Sequence, residues 1–352
     1  MPRSLCFNLL WLIGAVILIS TEAKHHIMTH SPIAIIGAGV SGLAAARELP
    51  ASSYQLFEKS RGPGGRLASK RLEQQRADIG AQFFTVRDAR FDETVKLASE
   101  AGAVARWEPQ MGTFRNQQPI SSPDTQTRYV GAPYMNAFGR FLAEPVVIRD
   151  QHRIQSVRRE KSGYSLTTTE NQHFTAEQVL VTTPVDQMGD LLSDFPITPI
   201  TSRFTMDPTW TVVLSIDESL LTEDGIRLDA CFGGDHPAID FISVERSKVG
   251  RNNDFVVIHS TPQWATEHLE RDSAWVLAQF QNIIFDVFAV QSSAIIAHRW
   301  RYARPTDPKT TTQKGVYQID QGLWIAGDYL AGGRVEGAYL AGLEAATRLQ
   351  AN

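Results

Sequence analysis

The sequence predicts an α/β protein in two parts: a parallel sheet carrying a β-meander, and a second unit built on a mixed or antiparallel sheet with helices. Three observations predict it. First, the apolar run "IAII" (Ile33–Ile36) leads directly into "GAGVSG", then into the small-residue segment "LAAAREL" ahead of Pro50, then into a second apolar run, "YQLFE" (Tyr54–Glu58). Strand, helix and strand in that order make a βαβ unit, whose two strands lie parallel. Second, "RIQSVRRE", "GYSLTTTE" and "HFTAEQVLVTTP" run from Arg153 to Pro184 with apolar–polar alternation and Gly or Asn turns. That pattern is an antiparallel meander, and its last piece, "QVLVTTP", is apolar enough to return to the parallel sheet. Third, the stretch from about residue 190 to 310 is a second region that holds further strands and a helix with an apolar stripe.

Each element has its own reason. "IAII" is the uninterrupted apolar run of a strand buried on both faces. The alanines after it favour helix, and Pro50 stops it. "FDETVKLASEAGA" (Phe91–Ala103) is an amphipathic helix with a glycine stop, and "YMNAFGRFLA" (Tyr134–Ala143) is another. In the second part, "TWTVVLSID" (Thr209–Asp217), "FVVIHS" (Phe255–Ser260) and "IIAHRWRYA" (Ile295–Ala303) read as strands, and "DSAWVLAQFQNIIFDVF" (Asp272–Phe288) as a helix with an apolar stripe. The chain closes with a hairpin pattern, "VYQID-QG-LWIAGD", and an alanine- and glycine-rich helix, "EGAYLAGLEAATRL". Residues 30–90, 150–190 and 315–352 are therefore assigned to one discontinuous nucleotide-binding domain. Residues 91–149 and 191–314 are assigned to a substrate domain, and 1–27 to a leader or a mis-assigned start.

The chain has 352 residues and a net charge of −4, so it has room for a large core and no global basic field for nucleic acid. The arginine clusters "SVRRE" and "HRWRYARP" read as solvated strand ends. Two cysteines, Cys6 and Cys231, exclude a disulfide framework and a four-cysteine metal site. No HExxH spacing or GxSxG elbow occurs, and the adjacent His25 and His26 read as solvated, so no metal is expected. "LLWLIGAVILIS" (Leu9–Ser20) has the length of a signal-peptide core and is short for a membrane span. A start at Met28, just ahead of the first strand, implies a cytoplasmic protein, the reading that two free cysteines favour. A retained or cleaved 1–27 segment implies export or anchoring, and membrane contact is expected only then.

Gly37, Gly39 and Gly42 stand where strand becomes helix. The first permits the tight turn, the second lets backbone approach a pyrophosphate, and the third lets helix and strand pack closely. The free N–H groups and positive dipole end of the helix face the pyrophosphate. Ser41 and Lys59 belong to the same binding set, and Glu58 stands where a carboxylate accepts from ribose hydroxyls. These residues specify a dinucleotide and suit NAD and FAD alike. Three features favour FAD. "EKSRGPGGRL" carries Arg61, Gly64, Gly65 and Arg66 on a glycine loop, from which an arginine reaches phosphate or flavin edges. "DIGAQFF" (Asp78–Phe84) offers a glycine to bring backbone close to a planar ring, with Gln82 and Phe83 beside it. Near the C-terminus, Asp328 can accept from ribityl hydroxyls, and a helix beginning near Gly337 and Ala338 can point its N-terminus at the flavin pyrimidine ring.

Through the fingerprint, the "GGR" loop, "DIGAQFF", the "TTP" strand and the terminal "GD…EGA", the sequence resembles the FAD-dependent amine oxidase superfamily. Within it, the chain is similar to the renalase-like group through "RYVGAPYMNAFGRFLA" (Arg128–Ala143), "VVIHSTPQWATEHL" (Val256–Leu269) and "HRWRYARP" (His298–Pro305). The resemblance runs from about residue 31 to the end and leaves out the leader. It implies a Rossmann-like FAD-binding domain assembled from separated segments, a substrate domain with a mixed sheet, and FAD held without a covalent link. It also implies an FAD-dependent oxidase that takes hydride from 2- or 6-dihydro-NAD(P), reduces O2 to H2O2 and releases NAD(P)+.

A dihydropyridine gives up hydride readily because its nitrogen lone pair restores aromaticity. The expected pocket is therefore flat and aromatic with a few polar anchors, and the flavin, rather than any named catalytic residue, carries the chemistry. The candidates are His259, Trp264, Trp300 and Tyr302 for the pocket, Thr183 at the flavin edge, and Arg128 or Arg301 for a substrate phosphate. Against each stands an ordinary role as core aromatic, strand-end cap or solvated charge. Two other functions stay open. One is a flavin amine or polyamine oxidase, many of which place a lysine near flavin N5, with Lys309 and Lys314 as candidates by position alone. The other is a flavin- or nicotinamide-binding protein without turnover.

Overall fold

The computed structural model describes residues 30–307 and 315–351. The leader, Cys6, His25, His26, Met28, Lys309 and Lys314 lie outside the described residues.

The strand His30–Ile36 is buried over most of its length and sits inside an eight-stranded sheet. Its parallel neighbours are Tyr54–Phe57 on one side and His173–Val181 on the other. Ile148–Arg149 extends the sheet beyond Tyr54–Phe57. His173–Val181 has two roles. Its first half pairs antiparallel with Tyr164–Thr168, which pairs in turn with Ile154–Arg159. Its second half pairs parallel with Leu323–Ala326, partner of the antiparallel strand Val316–Asp320. The alternating part is the meander and the apolar end, "VLV", is the buried parallel strand, as the sequence pattern requires.

Two helices, Val40–Glu48 and Arg334–Gln350, pack on each other. Their contact is built from small residues. The Ser41 hydroxyl donates to the Ala338 carbonyl at 2.8 Å. A Cβ on Gly342 would overlap the Ser41 carbonyl oxygen. The closing helix starts at Arg334, three residues ahead of the glycine nominated from sequence. Gly332, Gly333 and Arg334 take φ of 77°, 75° and 71°, a left-handed run that aims the chain into the helix.

The second sheet has seven strands in the order Ser293–Pro305, Met206–Ser215, Phe255–Ser260, Ile239–Val244, Ala230–Phe232, Met111–Arg115 and Gln118–Ser121. One adjacent pair, Ala230–Phe232 with Met111–Arg115, is parallel and the rest are antiparallel. The helix Ser273–Phe288 packs along this sheet and buries Val276, Phe280, Ile284 and Phe288, a helical stripe. Within 91–149, Met111–Arg115 and Gln118–Ser121 join this sheet, whereas Asn136–Ala143 packs beside Val40–Glu48 and Ile148–Arg149 joins the first sheet. No helix among the described residues is long and apolar enough to cross a membrane.

Candidate active site

A cleft of about 1730 Å³ is lined by residues of both sheets. It exceeds the roughly 300–1,000 Å³ of an ordinary small-ligand pocket. Its lining includes, from the first sheet and its loops, the turn after His30–Ile36, the glycine loop at 62–66, Thr182, Thr183 and Asp328 and, from the second sheet, Thr209, Thr211, His259 and the strand segment from His298 to Pro305.

The fingerprint glycines differ in what surrounds them. Gly37 has φ 106°, and a Cβ there would press on the Thr182 hydroxyl at 2.9 Å. A Cβ on Gly42 would overlap the Gly37 carbonyl. A Cβ on Gly39 would meet no protein atom within 4 Å, and Gly39 lines the cleft. The position where the protein itself has room for a side chain is thus the one where a ligand would lie on the backbone, which fits a pyrophosphate. Glu58 is buried with its carboxylate fixed by the Ala38 N–H (2.8 Å) and the Ser60 N–H (2.7 Å). Each oxygen keeps a lone pair for a ribose hydroxyl. Lys59 reaches Gln187 Oε1 at 3.1 Å, and burial lowers its pKa.

Arg66 and Asp328 meet across 262 residues of chain, with Nη2–Oδ1 at 2.6 Å and Nη1–Oδ2 at 2.9 Å. Arg66 also donates to the Ala303 carbonyl at 2.9 Å. Burial works against the guanidinium charge, but Asp328 more than offsets it and raises the Arg66 pKa. The sequence placed these two residues separately on the ligand. The structure makes them a bidentate clasp, with both on the cleft wall. Thr183 lines the cleft with a buried hydroxyl that has no partner. A buried orphan of this kind calls for a ligand or water partner.

Several sequence candidates sit elsewhere. Gly80 presents no gap to a ring, because a Cβ there would overlap the Arg66 carbonyl. The 78–82 segment lies on the glycine loop, with the Ala81 N–H bonded to Arg66 O at 2.9 Å. Ile79, Gly80 and Ala81 line the cleft, but Gln82 and Phe83 do not. Gln82 is buried with its amide tied to protein groups, and Phe83 packs against Trp107, Phe232 and Phe241. Arg128 is buried, bidentate to Asp124 at 2.7 Å on both nitrogens, and stacked over Phe83 and Phe232, so it is not free for a phosphate. Trp264, in the helix Pro262–Glu267, packs on His268, Trp275 and Phe280. Gly337 makes room for the Ala331 carbonyl, which a Cβ would approach to 2.6 Å. Arg334, Val335 and Ala338 line the cleft in its place. Arg301 lines the cleft but is bidentate with Glu270.

His259, Trp300 and Tyr302 all line the cleft. The Trp300 indole N–H and the Thr211 hydroxyl both donate to the Ile79 carbonyl at 2.8 Å, which pins the indole. Burial first, then the cations of Lys248 and Arg304, push the His259 pKa down to about 3, so the ring is neutral at physiological pH. Behind this wall lies a cluster the sequence did not disclose. Lys248 Nζ meets Glu245 Oε1 at 2.7 Å, Arg251 Nη1 meets Glu245 Oε2 at 2.7 Å, and Arg251 Nη2 meets Asp78 Oδ2 at 2.6 Å, all with fully enclosed side chains. By composition "ERSKVGRNN" is a surface loop. The available signal was Asp78, an acid at the head of an otherwise mostly apolar motif. Cys231 lies in the apolar core, its thiol pushed up to about 12 by burial.

A model of the family described as flavin containing amine oxidoreductase matches residues 130–350, more than half of the chain. A model described as NAD(P)-binding Rossmann-like domain matches residues 35–95. Among solved structures, a protein of Exiguobacterium sp. 255-15 provisionally named a protoporphyrinogen oxidase aligns with a TM-score of 0.69 and 16% identity, over 92% of this chain and 99% of that one. A triple mutant of putrescine oxidase, redesigned in cofactor binding, aligns with a TM-score of 0.70 and 12% identity, over 92% and 99%. At these identities the two structures establish a shared fold.

Proposed function

Because this chain belongs to the flavin containing amine oxidoreductase family, we propose that it is an FAD-dependent oxidase of the renalase type. Its substrates are dihydronicotinamides reduced at the 2- or 6-position, and its products are NAD(P)+ and H2O2. Bound FAD supplies the acceptance of hydride and the passage of electrons to O2. The residues of the chain bind and orient. Gly39 and the following helix turn hold the pyrophosphate, Glu58 the ribose, and Thr183 and Asp328 the redox half.

The observation that carries this reading is the placing of the His259 imidazole on the same wall as the pinned indole of Trp300, where burial and the cations of Lys248 and Arg304 lower the imidazole's pKa. A dihydropyridine that loses hydride becomes a pyridinium cation. A protonated imidazole beside it would oppose that charge, and a neutral one does not. Neutral imidazole also carries one donor and one acceptor, the complement of a carboxamide. Arg299, Arg301 and Arg304 line the cleft from the strand that carries Trp300, against the carboxylates of Asp240 and Glu270. The excess of positive charge suits the phosphates of a dinucleotide and disfavours an alkylammonium. Among the described residues lining the cleft, the one lysine is Lys59, at the Glu58 end.

The test is anaerobic mixing of the yellow protein with partly isomerised NADH or NADPH, and separately with a panel of amines, while following the visible flavin band. Bleaching by the isomers is expected. Bleaching by amines alone would overturn the reading, and no bleaching by either would leave a binding protein without turnover.

A further inference from the structure

The strand Ser293–Pro305 stands at one end of the strand order of the second sheet. Every residue from His298 to Pro305 lines the cleft, so the cleft meets both faces of this strand. His298 and Trp300 share one face, with ring centroids 4.6 Å apart. Arg299 and Arg301 alternate onto the other. There the two guanidinium groups converge on one carboxylate. Arg301 holds Glu270 with Nη1–Oε1 at 2.7 Å and Nη2–Oε2 at 2.9 Å, and Arg299 Nη1 reaches the same Oε2 at 3.2 Å. Arg299 Nη1 also donates to the Leu269 carbonyl at 2.6 Å, and its guanidinium lies over the Trp210 ring, so Arg299 has supports besides Glu270. Two cations on one anion leave a net positive charge. A guanidinium carries five donors, so each keeps some for a second anion.

Glu270 belongs to the turn between the helices Pro262–Glu267 and Ser273–Phe288 and does not itself line the cleft. Its side chain is 71% exposed, so water can take the place of the arginines at little cost. The other acids on the cleft are less free to leave. Asp328 is buried against Arg66, and Asp240 is half-buried against Arg304. We propose that Arg299 and Arg301 form a docking site for the pyrophosphate of a dinucleotide substrate, and that Glu270 is an internal stand-in which the pyrophosphate displaces. The proposal rests on the dihydronicotinamide reading for what the substrate is, though not for whether the arginines take a pyrophosphate. A pyrophosphate diester brings two negative charges where Glu270 brings one, and its oxygens suit two guanidinium forks. Glu270 is thus a positioning residue. It keeps both guanidinium groups turned to one point and sets a threshold that a more highly charged tail overcomes. A flat indole on one face of the strand and two arginines on the other can meet the two ends of such a ligand.

The test titrates ADP-ribose, the dinucleotide tail without its nicotinamide, into FAD-loaded protein by calorimetry. FAD already fills the Gly39 turn with its own pyrophosphate, so a second pyrophosphate has to bind elsewhere. One molecule is expected to bind per chain. Arg301→Gln should weaken it at least about tenfold, the scale of a lost charge-assisted contact. Arg301→Lys, which keeps the charge without the fork, should fall between. Glu270→Gln should tighten it about 1.5- to 5-fold, the strength of an exposed ion pair that no longer competes. Melting temperatures and flavin spectra check that the variants fold, and should Arg301→Gln not load FAD, Glu270→Gln and Arg301→Lys decide. No binding to the parent, unchanged or weaker binding to Glu270→Gln, or unchanged binding to the Arg301 variants overturns the proposal. With isomerised NADH, Arg301→Gln should raise KM about tenfold and hold kcat, because the tail is bound alike in ground and transition states. If the isomers are not oxidised and ADP-ribose binding shifts as stated, the substrate reading fails and the docking site stands. If they are oxidised and no variant moves ADP-ribose affinity, the docking site fails and the substrate reading stands.

Discussion

Single glycines separate what the fold needs from what the ligand needs. Gly39 has φ −73°, a value any residue adopts, and open space where its side chain would be. Gly39→Ala should therefore fold with a cost under about 1 kcal/mol, the scale of a weakened N-cap. It should also lose at least about tenfold in FAD affinity, about 1.4 kcal/mol. Gly42→Ala meets backbone instead and should lower stability by about 1–3 kcal/mol or more. Thermal melts with and without added FAD distinguish the two, and equal loss of stability in both would contradict the assignment. The glycines and Glu58 were legible because the strand–helix–strand pattern fixes the glycines at its first turn and the acid at the end of its second strand. Gln82 and Arg128 were not. A polar residue in a motif looks the same in sequence whether it faces a cleft or meets Lys248 or Asp124 inside the protein.

Strands and helices followed from pattern wherever one face was apolar. The meander, the stripe of Ser273–Phe288 and the closing hairpin all lie where alternation or helical spacing put them. The short pairs, such as Val104–Trp107 with Arg128–Gly131, have too few residues to show a period, and the start of the closing helix was hidden because two glycines and an arginine share its left-handed entry. Between elements, the Arg66–Asp328 clasp joins the glycine loop to the segment after Leu323–Ala326. Asp328→Ala leaves a buried guanidinium edge unpaired and should cost about 1–3 kcal/mol, less than a fully enclosed pair because about a third of the Arg66 side chain is exposed (34%). Faster release of FAD on dilution, followed by flavin fluorescence, should accompany the fall in Tm. Unchanged release would show that the clasp serves stability alone.

At the scale of the whole molecule, three rings among the described residues resist protonation: His236 and His298 through burial above all, and His259 through burial and neighbouring cations. The unfolded chain binds protons at these positions below about pH 6.5 that the folded chain refuses. Stability is therefore intact above that pH and falls as pH drops through it, by up to about 1.4 kcal/mol per pH unit for each ring. Carboxyls raised by burial, such as Asp186, act in the opposite direction at lower pH. Urea midpoints measured between pH 8 and 5 should decline, and a level or rising series would contradict this. The pairing of Val40–Glu48 with Arg334–Gln350 reaches beyond equilibrium. During synthesis, a ribosome releases the fingerprint nearly three hundred residues before the helix that completes it. A nascent chain can form its glycine turn early, yet tight capture of the dinucleotide has to wait until Arg334–Gln350 has left the exit tunnel.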